Sequence, residues 1–202
     1  MSEVVSKVSS TPQKVSKKAL NKACHIWLEF ANAGYAWIRL MGNTYAQMLI
    51  PVVHDLYPDD KDARNAVIAR SMDFYNTEPA FGNIINGIAI SMEEQIANGE
   101  GAIAGDDITT IRTSLMGPLA GIGDTIHNTI NIILIAIFTD MTLSGAYLAG
   151  PLLYIICRWG LFILISRVSF FYGYRKGGEA IAEIISSGRF DDLITAANIV
   201  GC

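Results

Sequence analysis

Between Thr113 and Cys157 the sequence carries only two formal charges, Asp124 and Asp140, and this bounds the fold more tightly than any other feature. A stretch so poor in charge belongs in a large core or in lipid, because an unpaired charge is costly in either place. Composition favours lipid: 51% of residues are hydrophobic and 17% charged, against roughly 25% charged in ordinary soluble domains. Mean hydropathy is +0.33. The 202 residues allow one domain or a modest two. A net charge of -4 leaves no basic field to attract phosphates, which argues against a nucleic-acid partner. Cys24, Cys157 and Cys202 lie too far apart for a zinc site and too sparsely for a disulfide scaffold, and read as reduced thiols.

Charge is distributed unevenly along the chain. The first 24 residues hold Lys7, Lys14, Lys17, Lys18 and Lys22 against Glu3 alone, and the mix of Lys, Asn, His and Glu that follows is not the core of a cleaved signal peptide. Residues 55–107 are strongly acidic, which predicts a solvated helical region in which Glu93 and Glu94 lie on an outer face.

Leu20, Ala23, Cys24, Trp27, Leu28 and Ala31 recur at helical spacing opposite Lys18, Asn21, Lys22, His25, Glu29 and Asn32, predicting an amphipathic helix. The same character continues to Leu49, where Pro51 is expected to kink or end the helix, since it lacks an N–H and crowds the preceding turn. Tyr57-Pro58-Asp59-Asp60 reads as a turn and helix entry, and 61–75 as a second helix. Asn76-Thr77-Glu78-Pro79 reads as a break in which Thr77 caps a third helix that stops at Gly99. Asp106 then caps a short helix that ends at Gly117-Pro118. No alternating strand pattern and no internal repeat is visible.

A membrane span needs about 20 predominantly apolar residues. Thr125 to Thr139 is shorter and is speckled with His127, Asn128, Thr129 and Asn131, while Met141 to Ile165 is interrupted by Gly145, Gly150-Pro151 and Arg158. Broken helices at membrane depth survive only where they pack in protein or line a wet cavity, so re-entrant hairpins are expected. Gly117, Pro118, Gly121 and Gly123 form the predicted structural break, either a tight helix connection or an opening that exposes backbone groups and Asp124 to a polar solute. It lacks the Gly-Lys-Ser/Thr ending of a phosphate loop. The fold class is all-α: an integral membrane helical protein with amphipathic N-terminal helices and broken or re-entrant hydrophobic helices. Four segments follow: a basic mobile N-terminus (1–18), an amphipathic helical region (19–112), the glycine-rich break with membrane-embedded hairpins (113–175) and a C-terminal helical segment (176–202).

Asn32, Arg39, Gly42, Ala46, Leu49 and Pro51, then Asp73-Phe74-Tyr75-Asn76-Thr77-Glu78-Pro79, Ser91-Met92-Glu93-Glu94, Leu115-Met116-Gly117-Pro118-Leu119-Ala120-Gly121-Ile122-Gly123-Asp124 and Phe170-Phe171-Tyr172-Gly173-Tyr174 follow one another along the chain. This series resembles the IID component of mannose-family phosphotransferase-system permeases over about residues 20–200. The resemblance implies a subunit of the bacterial cytoplasmic (inner) membrane that pairs with a IIC subunit in the lipid bilayer, in trimers of IIC–IID pairs, to bind and translocate a sugar. A phosphohistidine on IIB, fed by IIA, phosphorylates the sugar on arrival, so the IID chain has no catalytic residue of its own and needs no cofactor or metal. Two positions depart from the family pattern: Glu78 stands where members often have His, and Thr125 to Asn131 replaces a more aromatic, arginine-containing stretch. Members also continue for several dozen residues past the position of Gly201, so the chain reads as a truncated or a naturally short form.

Sugar recognition needs side chains that hydrogen-bond hydroxyls at the edge of a dry pocket. Asn76, Thr77, Glu78, Asp124 and His127 are the candidate substrate-binding residues, although helix capping would select Asn76, Thr77 and Glu78 as well. His25 and His54 read as surface or core-edge histidines. Arg158 is expected to face protein or headgroups, with Asp140 or IIC as partner. The competing reading is a scaffold that binds a IIC-like partner and no solute.

Overall fold

The computed structural model describes residues 12–100 and 103–179. Six helices run through them: α1 (Lys17–Phe30), α2 (Gly42–Leu56), α3 (Lys61–Ser71), α4 (Asn83–Ala97), α5 (Gly105–Leu143) and α6 (Ala149–Lys176). Most of the basic arm, Cys202 and nearly all of the predicted C-terminal segment lie outside the described residues. Among the described residues, β pairing is limited to isolated bridges, Ala36 with Leu40 and Leu40 with Tyr75.

Local chemistry sets the helix starts. The Ser16 hydroxyl accepts the Ala19 N–H (3.1 Å) at the head of α1, and the Asp60 carboxylate accepts the Ala63 N–H (2.8 Å) at the head of α3, where the turn reading put an entry. At α5 the cap comes from Asp107, which accepts the Ala104 N–H at 2.7 Å, rather than from Asp106. Thr77 caps nothing. Instead Glu78 Oε2 accepts the N–H groups of Ala80 (3.0 Å) and Phe81 (2.6 Å), holding these residues in a turn, and α4 begins only at Asn83.

The long first helix of the sequence reading is two. The chain reverses after Phe30, where the Thr44 hydroxyl donates to the Phe30 carbonyl (2.9 Å), and Pro51 lies inside α2 instead of ending it. Val52, Val53 and Leu56 beyond the proline are buried, and that packing holds the last turn in place. Residues 12–16 are clamped: Gln13 and Asn98 exchange hydrogen bonds (2.7 and 2.9 Å), and the Val15 N–H donates to Glu94 (2.9 Å).

α4 is the central helix, with Asn83 to Ile90 buried in succession, so this part of the acidic region is not solvated. Glu93 is 1% exposed, against the expectation of an outer face, because Arg70 of α3 reaches across to it (Nη2 to Oε1, 2.6 Å). Burial raises the Glu93 carboxyl above its ordinary range, and the Arg70 charge and hydrogen bond act against that rise. A ladder of buried side chains ties α4 to its neighbours. The Tyr75 hydroxyl donates to Asn86 (3.0 Å), Asn86 to Asn83 (2.8 Å), and Asn83 to Ser166 Oγ on α6 (2.8 Å).

α5 and α6 form an antiparallel hairpin that turns through Ser144 to Leu148. At 1.5 Å per residue the 39 residues of α5 extend about 58 Å and the 28 of α6 about 42 Å, so both can cross a bilayer. The expected break at Gly117, Pro118, Gly121 and Gly123 is absent: α5 passes through all four. Leu115, Leu119 and Gly123 make a buried stripe at i, i+4 and i+8 that spans Pro118 and keeps the two halves seated on one surface. Among the described residues, nothing outside the helix's own backbone lies within 4 Å of a β-carbon placed at Gly117 or Gly121. Two of the interruptions foreseen after Met141 fall at the hairpin's turn, with Gly145 at φ +107° and Gly150-Pro151 in the first turn of α6, where proline is tolerated, while the third, Arg158, lies inside an unbroken α6. Ile132 (66% exposed), Leu148 (79%), Ile156 (64%) and Leu164 (59%) form a broad apolar face that none of the described residues covers, as a lipid-facing hairpin requires.

Candidate functional site

Where α5 passes the 76–79 segment with α6 opposite, a cleft of about 550 Å³ opens. Asn76, Thr77, Glu78, Asp124 and His127 all line it, although some fifty residues separate the two groups in the sequence. Asp124, His127 and Asn128 share one face of α5, at i, i+3 and i+4. The far wall is Tyr154, Arg158, Trp159 and Phe162 of α6.

Glu78 and His127 meet at the base. Glu78 is 3% exposed, and its Oε1 lies 3.0 Å from His127 Nδ1. The Phe162 ring packs against the imidazole with centroids 6.0 Å apart, and Trp159 stands edge-on to Phe162 at 5.8 Å. At the mouth, the Tyr35 hydroxyl donates to Asn76 Oδ1 (3.1 Å). Tyr35 and Asp124 both line the cleft on its exposed side, and burial, then the charge of Asp124, raises the Tyr35 phenol above its ordinary range. Thr77 differs from the other four, because its hydroxyl is buried and makes no hydrogen bond among the described residues.

Arg158 does not pair with Asp140. Its Nε donates to Asn131 Oδ1 (3.1 Å), which also accepts from the Tyr154 hydroxyl (2.8 Å), so an amide on α5 holds the polar part of α6 in register. Tyr35, Asn128, Tyr154, Arg158 and Trp159 also line the cleft but are not among the candidate substrate-binding residues that the sequence pointed to. The available signal was periodic: Asp124, His127, Asn128 and Asn131 at i, i+3, i+4 and i+7, with Tyr154, Arg158 and Phe162 at i, i+4 and i+8.

Gly123 permits the close approach. A β-carbon there would lie 2.6 Å from Glu78 Cβ and 2.9 Å from its Cγ, atoms close to the main chain that cannot swing aside. Gly123→Ala is expected to push α5 off Glu78, part the Glu78–His127 pair and cost about 1–3 kcal/mol of stability. A drop in the thermal midpoint in detergent would show this; an unchanged midpoint would mean that the two surfaces are not in contact.

Residues 14–202 match the family model for the PTS system mannose/fructose/sorbose family IID component. The chain belongs to that family. The mannose-specific EIID component of Escherichia coli K12 is 34% identical to this IID chain over 172 residues, which cover 81% of this chain and 57% of that protein. The mannose-specific component of E. coli CFT073 is 31% identical over 210 residues (100% and 70%). The fructose permease IID component of Bacillus subtilis is 33% identical over 174 residues (85% and 62%). The chain thus spans between just over half and about two thirds of the length of these relatives. Among solved structures, a complex of the mannose transporter ManYZ with microcin E492 aligns at a TM-score of 0.76 with 29% identity, covering 94% of this chain and 68% of that one. The motif resemblance is therefore one of membership, and the apolar hairpin is that of a membrane protein.

Proposed function

We propose that this IID chain, with a IIC subunit in the bacterial cytoplasmic membrane, binds and translocates a sugar that IIB, supplied by IIA, then phosphorylates. The cleft is its part of the sugar path, and the IIC–IID pair assembles as a trimer. The convergence of Asn76, Asp124 and His127 with Trp159 in one open cleft carries this reading. Amide, carboxylate and imidazole groups hydrogen-bond hydroxyls, while an aromatic face covers the C–H face of a pyranose. The cleft opens beside the apolar hairpin, as a path between two membrane subunits requires.

Asn76→Ala and Asp124→Ala are the direct test, with sugar uptake measured in cells that carry the cognate IIC. A hydrogen bond to a charged group contributes about 1.5–3 kcal/mol, so Asp124→Ala is expected to lower uptake about tenfold or more, and Asn76→Ala somewhat less, with membrane assembly intact. Normal uptake in both variants would remove the cleft from the sugar path. A purified pair that no sugar stabilises would favour a scaffold subunit.

A further inference from the structure

Glu78 lines the cleft, yet its hydrogen-bonding capacity is nearly spent. Oε2 accepts the Ala80 and Phe81 N–H groups, and Oε1 faces His127 Nδ1. An ionised carboxylate has about four acceptor sites. Three are taken here, on a side chain that is 3% exposed, so Glu78 offers a sugar hydroxyl almost nothing. His127 differs: Nδ1 is engaged, while Nε2 has no hydrogen-bond partner among the described residues and the ring borders the cleft.

We propose that Glu78 is a positioning residue, not a sugar ligand: it holds the proton on His127 Nδ1, so that Nε2 faces the cleft as a bare acceptor for a sugar hydroxyl. A carboxylate that only accepts obliges Nδ1 to be the donor, which fixes the neutral ring in the Nδ1–H form. Phe162 sets the ring plane from one side, and Gly123 lets α5 bring His127 within reach. The charged groups that border the cleft beside this pair are Asp124 on α5 and Arg158 on α6, and Arg158 is engaged with Asn131. A hydroxyl that donates to Nε2 would be selected over a group that can only accept. The inference rests on reading the cleft as a sugar site.

Glu78→Gln separates positioning from direct contact. Its amide oxygen would stay with the two backbone N–H groups and its NH₂ would face Nδ1, driving the ring proton to Nε2 and turning the acceptor into a donor. The chain is co-expressed with IIC, labelled with ¹⁵N-histidine and read by solid-state NMR, His127 being assigned by its loss in His127→Asn. Affinity is measured against mannose, fructose and sorbose. The expected results are an Nδ1–H ring in the wild type, an Nε2–H ring in Glu78→Gln and about a tenfold or greater loss of affinity in that variant. In the His127→Asn background, Glu78→Gln is expected to change affinity less than about twofold, the non-additivity of two residues acting through one contact. Equal losses in both backgrounds, or a wild-type ring protonated at Nε2, would overturn the proposal. If the wild type carries the Nδ1–H ring but binds none of the three sugars, the sugar reading of the cleft falls while the pairing stands.

Discussion

Gly173→Val is expected to unseat α6 from α4 and to give one of the largest stability losses of any single substitution in this protein. A β-carbon at Gly173 would fall on the main chain of Ile84, with its carbonyl oxygen nearest and its carbonyl carbon at 3.0 Å, and one at Gly87 would meet the Phe170 carbonyl and lie 2.6 Å from the Tyr174 nitrogen. Each helix therefore presses a glycine against the other's backbone. Neither obstacle is a side chain that can rotate away, so relief requires the helix axes to part. Overpacking typically costs about 1–3 kcal/mol, and a branched residue against the immovable main chain of Ile84 belongs at or above the upper end. Parting them would also strain the Asn83–Ser166 bond and move the α6 wall of the cleft. The checks are the thermal midpoint of the detergent-solubilised protein and the yield of folded material. Gly121→Ala, which among the described residues meets nothing outside its own helix within 4 Å, is the control and should be neutral or mildly stabilising. Equal behaviour of the two variants would mean that α4 and α6 are not in main-chain contact.

Arg70→Ala should be as severe for a different reason. It strands the Glu93 carboxylate, which is 1% exposed and bonded to Arg70 through both oxygens. Removing one partner of a buried ion pair costs about 3–5 kcal/mol, because the remaining charge has neither water nor counter-ion. Burial already raises the Glu93 carboxyl and Arg70 opposes that rise, so the variant should raise it further. A carboxyl raised in the folded state binds its proton there more readily than in the unfolded chain. Its contribution is therefore complete below the ordinary carboxylate range and is lost as pH climbs through the raised native value. Arg70→Ala should thus melt closest to the wild type under acidic conditions and fall away towards neutral pH. Arg70→Ala/Glu93→Leu, which removes the stranded charge, should recover most of the loss at neutral pH. Equal midpoints for the single and double variants would show that the loss comes from other Arg70 contacts.

Much of this was legible in residue order. The 113–157 stretch placed the apolar hairpin, Asp60 announced α3, Gly99 ended α4, and the ordered motifs pointed to the IID family. Asn76, Thr77, Glu78, Asp124 and His127 were chosen for their chemistry, and the fold puts all five in one cleft. The predictions that failed share a cause. Pro51, for its missing N–H, and the Gly117-Pro118, Gly121 and Gly123 stretch, for its backbone freedom, pointed to breaks, but the buried residues on either side of each proline keep the helix seated. Glu93 was read as exposed because an acidic neighbourhood implies water, and nothing in its vicinity announces Arg70, twenty-three residues away.

Alone, the sequence determined what depends on composition and near neighbours: the charge-poor membrane segment, the all-helical class and the helix entry at Asp60. The tertiary structure decided what depends on contact between distant segments. Gly87 and Gly173 meet across α4 and α6, Arg70 neutralises Glu93, and Gly123 lets Glu78 reach His127. Burial, pairing and proton placement arise from distances between side chains, and local sequence order does not contain those distances.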